Sequence, residues 1–143
     1  MNGDGRQVAL VSVGIGVTGH EPLLDYLLRK LHRETAIDEI ILVANGASLS
    51  SLEICKKWQQ LDQRVKLVKY ENRIGINRVL NEILRIANGE IVIIIGADAI
   101  LVRDCIKRLI KCFKDARIGA VSVKQIPVRK PGVAAAIDRI SAR

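Results

Sequence analysis

The sequence predicts an α/β domain in three layers, with helices on both faces of a mostly parallel sheet. Two observations predict it. Short apolar runs alternate with helical patterns along the chain, an order that lays parallel strands in one sheet with helical crossovers over it. The apolar residues are mostly Ile, Val, Leu and Ala, and aromatics make up only 3% of the 143 residues, as in strands buried on both faces. The length is that of one ordinary domain on the usual ~100–200 residue scale.

Val8 to Ile15 reads as the first strand, followed by a glycine-rich turn, Gly16-Val17-Thr18-Gly19. Leu23, Leu24, Leu27, Leu28 and Leu31 then recur at helical spacing, with Pro22 near the helix start, where its missing N–H costs nothing. Glu39 to Val43 is the second strand. Ser50-Ser51-Leu52-Glu53 has capping-box form and opens a helix to about Leu61. Val65 to Tyr70 alternates as a third strand, and Ile76 to Ala87 carries Val79, Leu80, Ile83 and Leu84 on one helical stripe. Asn88-Gly89 has the form of a left-handed helix cap. Glu90 to Ile95 is almost continuously apolar, which predicts a central fourth strand. Arg103 to Phe113 reads as a fourth helix and Ile118 to Val123 as a fifth strand. Beyond Gln125, the residues Pro127, Arg129, Lys130, Pro131 and Gly132 form a basic, broken connector before a short amphipathic pattern from Val133 to Ala142. The expected organisation is one domain over 1–126 and a connector with a short helix over 127–143.

Composition narrows the function classes. No run approaches the ~18 apolar residues of a membrane span, and the N-terminus lacks signal-peptide form. The expected location is cytoplasmic, with the cytoplasmic face of a membrane as the alternative. The net charge of +8 suits anionic ligands: nucleotide phosphates, nucleic acid or an anionic membrane surface. Few aromatics and no recognised motif speak against nucleic acid. Cys55, Cys105 and Cys112 have no metal-ligand spacing and read as buried, reduced thiols.

In open parallel sheets, ligands bind beyond the carboxyl ends of the strands, so the loops there carry the candidate site. Ala44-Asn45-Gly46-Ala47-Ser48 is either an ordinary turn or a rim where the Asn45 amide contacts a base edge, with Ser48 placed to cap the following helix and present free N–H groups. Glu71 to Arg78 places Gly75 before a helix, with Arg73 and Arg78 nearby. That is either a plain helix entry or a pyrophosphate site built on backbone N–H groups and guanidinium. Gly96-Ala97-Asp98 ends the fourth strand with one carboxylate, either a turn cap or a ligand to Mg²⁺ or Mn²⁺ whose other ligands are phosphates and water. Together the three loops put a base contact, a phosphate contact and a metal ligand on one sheet edge.

From Val8 to about Arg129 the chain resembles the family-2 glycosyltransferases of the GT-A fold, a Rossmann-like nucleotide-diphospho-sugar transferase architecture. The resemblance rests on Val11-Ser12-Val13 with its glycine-rich turn and Glu21, Glu39 through Ser48, Arg64 through Val68, Asn72-Arg73-Ile74-Gly75, Asn81-Glu82, Asn88 through Asp98, and Ile118 through Ser122. It implies transfer of a sugar from a UDP- or GDP-sugar to an unknown acceptor hydroxyl, with inversion. It implies donor contacts at Val17, Thr18, Asn45, Gly46, Arg73, Gly75, Arg78, Ala97 and Asp98, and a divalent cation on Asp98. The chain departs from the family in four places. Ala44 and Asn45 stand where two acidic residues are usual, Gly96 replaces the first aspartate of an Asp-x-Asp motif, Gly16, Val17, Thr18 and Gly19 stand where a proline and a polar residue are usual, and nothing after Asp98 has the character of the catalytic base. The implied chain is a donor-binding half, truncated before the acceptor half. An inactive nucleotide-binding relative or scaffold is the alternative.

Overall fold

Residues 9–127 are described by a computed structural model of the chain. Their elements run β1 (Val11–Gly19), α1 (Leu24–His32), β2 (Glu39–Ala47), α2 (Leu49–Leu61), β3 (Val65–Tyr70), α3 (Ile76–Ile86), β4 (Ile91–Gly96) and α4 (Cys105–Cys112). The four strands form one parallel sheet in the order β3-β2-β1-β4. The chain divides into two compact units, one ending at Ala99 and one beginning at Ile100, so α4 belongs to the second.

Strand alternation assigns each face of the sheet. On one face Ile41 and Val43 of β2 pack with Val79 and Ile83 of α3, all essentially inaccessible. Each such side chain contributes about 1.5–3 kcal/mol by burial. The approach of α3 depends on two residues of β1 that lack side chains. A Cβ on Gly14 would lie 2.3 Å from Ile83 Cγ2, and one on Gly16 would lie 2.9 Å from Val79 Cγ1. The opposite face presents Val13, Ile15, Val17, Ile40 and Leu42, all buried. There α2 contacts β2 and β3, and α1 contacts α2. Asp25 joins the two helices by accepting from Trp58 Nε1 at 2.8 Å and Lys57 Nζ at 2.9 Å.

Several expectations change. β1 begins at Val11 and runs through Gly19, so Val17 and Thr18 belong to the strand instead of a turn. β2 likewise continues through Asn45 and Gly46 to Ala47, because the two strands extend one another's pairing with a bulge near their ends. The cap of α2 is Ser48, which accepts from the Ser51 N–H, and not the Ser50 capping box. β4 is an edge strand of the described sheet: Ile91, Ile93 and Ile95 fill one face, whereas Ile94 on the other is 46% exposed. Residues 118–123 form no strand and are exposed. β-branched composition supplies propensity, but a strand exists only where a neighbour takes up its backbone hydrogen bonds. Cys55 is buried, and burial pushes its thiol up to about 11. Cys105 is half-buried and Cys112 exposed, against the expected burial. The connector from Arg129 onward, the helix expected from Val133 and the first residue of the expected strand at Val8 lie outside the described residues.

Gly89 is not a left-handed cap: α3 ends at Ile86, and Gly89 has no positive φ. Its role is close approach. The Gly89 N–H donates to Ser12 Oγ at 2.8 Å, and the Ser12 hydroxyl donates to buried Glu39. Glu39 also accepts from Lys66 Nζ and from the backbone N–H and side-chain amide of Asn88. This network ties β1, β2, β3 and the α3–β4 connection at the end of the sheet opposite the candidate site. Burial opposes ionisation of Glu39, but the donors from Lys66, Ser12 and Asn88 outweigh it and hold the carboxyl at about 2. Because the folded value lies below the ordinary one, Glu39 stabilises the fold fully above 4.5, and that stability is lost as pH falls through about 2. Wild type is therefore expected to lose on the order of 3 kcal/mol more than Glu39→Gln between those limits. Urea unfolding of both at stepped pH checks this; parallel stability curves would contradict it.

Candidate functional site

The strand order reverses between β1 and β4: β2 and β3 extend to one side of β1, and β4 lies on the other. A crevice beyond the carboxyl ends at such a reversal is where open α/β sheets take ligands. Gly16 of β1 and Gly96 of β4 are register partners there, so the turn carrying Asp98 opens beside the end of β1.

On the β2 side the bulge shapes the rim. Between Val17↔Ala44 and Gly19↔Ala47, β2 uses one more residue than β1. Gly19 and Gly46 both take φ +63° there, a left-handed conformation that side chains disfavour. The Ser48 N–H donates to the Gly19 carbonyl at 2.8 Å and closes the rim. Asn45 is only 5% exposed. Its Oδ1 accepts from the Ile74 N–H at 2.7 Å, and its Nδ2 donates to Thr18 Oγ1 at 3.4 Å. One side chain thus joins β1, β2 and the β3–α3 loop.

Arg73 lies across the two glycines. A Cβ on Gly46 would meet Arg73 Cγ at 2.9 Å, and one on Gly19 would meet its Nη2 at 3.5 Å. Arg73 is exposed and forms no ion pair among the described residues. Two residues later Gly75, with φ +87°, is the N-cap of α3 and offers no side chain to its first amides. A guanidinium with no ion-pair partner among the described residues and a helix start without a side-chain cap therefore share one rim, both attractive to an anion. Arg78 is placed elsewhere. It lines an open cleft of about 320 Å³ with Tyr70, Ile74, Asn81, Glu82 and Arg85, along α3.

Asp98 is exposed in a turn closed by the Ala99 N–H donating to the Gly96 carbonyl at 3.0 Å. Asp98 Oδ1 lies 2.7 Å from where a Gly96 Cβ would stand, so the carboxylate occupies the space that the missing side chain leaves. No group of three or more His, Cys, Asp or Glu that could hold a metal occurs among the described residues. The donor set fits the mode of Mg²⁺ or Mn²⁺ in which one or two carboxylates serve and substrate phosphates and water complete the shell. Val17 and Ala97 are buried and could meet a ligand only through their backbone. Asp104 and Asp115 fall in the second unit, and Asp115 accepts from Arg117.

A second cleft, of about 290 Å³, opens between the ends of β2 and β3 and the start of α2. Ala44, Ala47, Leu49, Leu52, Lys69, Tyr70 and Glu71 line it. Ala44 and Ala47 lie in the loop singled out from the sequence, Leu49 directly follows it, and Glu71 opens the next such loop. Lys69 and Tyr70 become their neighbours through the β2–β3 pairing, a long-range fact that no local motif carries.

The sequence profile described as glycosyl transferase family 2 matches residues 12–135. The chain belongs to that family. This family-2 chain is 30% identical over 86 residues to the glycosyltransferase GlyG of Streptococcus pneumoniae, covering 60% of this chain and 28% of GlyG. It is 36% identical over 75 residues to the uncharacterized glycosyltransferase MJ1057 of Methanocaldococcus jannaschii, covering 52% and 25% respectively. Among solved structures it resembles the mannosyltransferase PcManGT of Pyrobaculum calidifontis in complex with GDP-Man and Mn²⁺. The TM-score is 0.75 at 28% identity, over 84% of this chain and 37% of that one. The family-2 chain therefore has the GT-A, Rossmann-like fold and spans well under half the length of these relatives. No described helix is long and apolar enough to cross a membrane.

Proposed function

We propose that this family-2 chain binds a nucleoside-diphosphate sugar at the carboxyl edge of its sheet and provides the donor side of an inverting glycosyl transfer. The observation that carries the reading is the pairing of two features on one edge. Arg73, with no ion-pair partner among the described residues, lies over Gly19 and Gly46 beside the open start of α3, and Asp98, two residues beyond the end of the neighbouring β4, has no ion-pair partner among the described residues. Arg73 and the Gly75–Arg78 amides bind the diphosphate. The rim of Val17, Thr18, Asn45 and Gly46 supports the nucleoside, and the cleft lined by Ala44, Ala47 and Tyr70 has room for a base. Ala97 and Asp98 border the sugar-phosphate end, where Asp98 ligates the metal. A Mg²⁺ or Mn²⁺ ion bound there supplies charge neutralisation to the departing diphosphate. The acceptor hydroxyl oxygen forms its bond to the anomeric carbon from the face opposite the phosphate, the bond between that carbon and the phosphate oxygen breaks, the nucleoside diphosphate leaves, and the hydroxyl proton passes to solvent water.

The GDP-mannose and Mn²⁺ held by the Pyrobaculum protein favour a GDP-sugar, with a UDP-sugar next. Titrating UDP, GDP and their sugars with Mg²⁺, followed by amide resonances of the labelled chain, tests the reading. Millimolar or tighter binding with shifts at Thr18, Gly46 and Gly75 is the expected result; no shift with any of the four ligands would remove it. The single acidic ligand supports a second reading, a relative that binds nucleotide without turnover. A transfer assay on the chain discriminates the two.

A further inference from the structure

We propose that Asn45 is a positioning residue that holds the phosphate-binding loop in place and is not a reader of the base. The proposal rests on the donor-site reading and assigns the division of labour within that site. At 5% exposure, Asn45 has little surface for a ligand edge. Both of its polar atoms already have protein partners, and those partners lie on different elements. The stronger bond, at 2.7 Å, is accepted from the N–H of Ile74, the residue between Arg73 and Gly75. The loop bearing the guanidinium and the helix entry is thus fixed to β2 at one point. The second bond, to Thr18, ties the same side chain to β1 beside Gly19. Gly19 and Gly46 are the surfaces over which Arg73 lies. The Asn45 amide therefore holds together the bed and the residue lying on it. Removing it leaves the half-buried Ile74 N–H without its acceptor, a cost that the loop can relieve only by moving away from the strand ends.

The two roles predict different patterns. If Asn45 positions the loop, Asn45→Ala weakens Mg²⁺-GDP, UDP, ADP, CDP and inorganic pyrophosphate by a common factor, on the order of tenfold for a lost hydrogen bond and a displaced charge. Hydrogen exchange at the Ile74 amide accelerates, while the Val79 and Ile83 amides within α3 stay protected. If Asn45 reads the base, the ranking of the four nucleotides changes and pyrophosphate affinity does not; that result overturns the proposal. Asn45→Asp keeps an acceptor for Ile74 and covers the case in which the alanine variant fails to fold. It should retain Ile74 protection and the wild-type nucleotide ranking, because its added charge acts on all diphosphates alike. A changed ranking in this variant contradicts the proposal too. Should wild type bind none of the five probes, the donor-site reading fails. The hold of Asn45 on the loop is then still judged by Ile74 exchange, and an unchanged rate in Asn45→Ala refutes it.

Discussion

Asp98→Asn is expected to abolish the divalent-ion dependence of nucleotide-diphosphate binding while leaving the fold intact. In wild type, adding Mn²⁺ should tighten GDP by roughly tenfold or more, because a cation held by Asp98 would offset the repulsion between the carboxylate and the diphosphate. In the variant, affinities with and without Mn²⁺ should coincide. The size of the effect follows from the donor set. No second acidic side chain stands at the end of β4 to take over, since the position two residues earlier is Gly96, and no group of three or more metal-ligating side chains occurs among the described residues. The fold should be indifferent, because Asp98 is exposed and neither hydrogen-bonded nor ion-paired with described residues. Calorimetric titrations at fixed ionic strength measure this. Equal Mn²⁺ enhancement in both proteins would place the ion elsewhere. Gly96→Ala offers a graded check: its Cβ would stand 2.7 Å from Asp98 Oδ1, forcing the carboxylate to rotate and weakening the same ion-dependent component.

Gly89→Ala is expected to be the most destabilising small change at the far end of the sheet. A Cβ there would lie 2.4 Å from Ser12 Oγ, 2.6 Å from Ser12 N and 2.9 Å from the Ile91 carbonyl oxygen. Two of these three atoms are backbone in paired strands and have no rotamer by which to yield. Moving Ser12 also disturbs its hydroxyl's bond to Glu39, so overpacking and the loss of a buried hydrogen bond combine. Together they should cost about 2–4 kcal/mol, a fall in Tm of roughly 6–12 °C for a domain of this size. Differential scanning calorimetry measures it. Nucleotide affinity per folded molecule should be unchanged, because the site lies at the opposite ends of the strands. A loss of affinity without loss of Tm would contradict this separation.

The existence and type of the four strands and four helices were legible in the sequence because each carries its own period. Leu24, Leu27, Leu28 and Leu31 mark one helical face, and all four are buried. What was not legible depends on distant partners. Ile118–Val123 has strand composition, yet no described strand pairs with it. Ile91–Ile95 reads as central from its apolar run, but sheet order is set by crossover connections and not by one segment's hydropathy. The spacing Gly14-x-Gly16-x-x-Gly19 has the letters of a dinucleotide fingerprint. The motif carries that meaning only in the turn between strand and helix, and here all three glycines lie within β1. Two admit α3, and one forms part of the bed of Arg73. For the site, the sequence indicated Arg73, Gly75 and Asp98 through their places after predicted strands. It did not show that Asn45 is buried and bonded to Ile74 or that Arg78 lines a different cleft. Side-chain direction at a bulge follows from a register that no local pattern encodes.

In the proposed donor complex a divalent ion and a nucleoside diphosphate meet at the end of β4 beside β1. The most direct test replaces Mg²⁺ by Mn²⁺ in the GDP complex of the labelled chain and maps the paramagnetic broadening of its amide resonances. Broadening centred on Gly96, Ala97, Asp98 and Ala99, extending to Gly16 through Gly19 and absent in Asp98→Asn, is the predicted result. Broadening confined to other carboxylates, such as Glu71 or Glu82, with the β4 turn unaffected would contradict it.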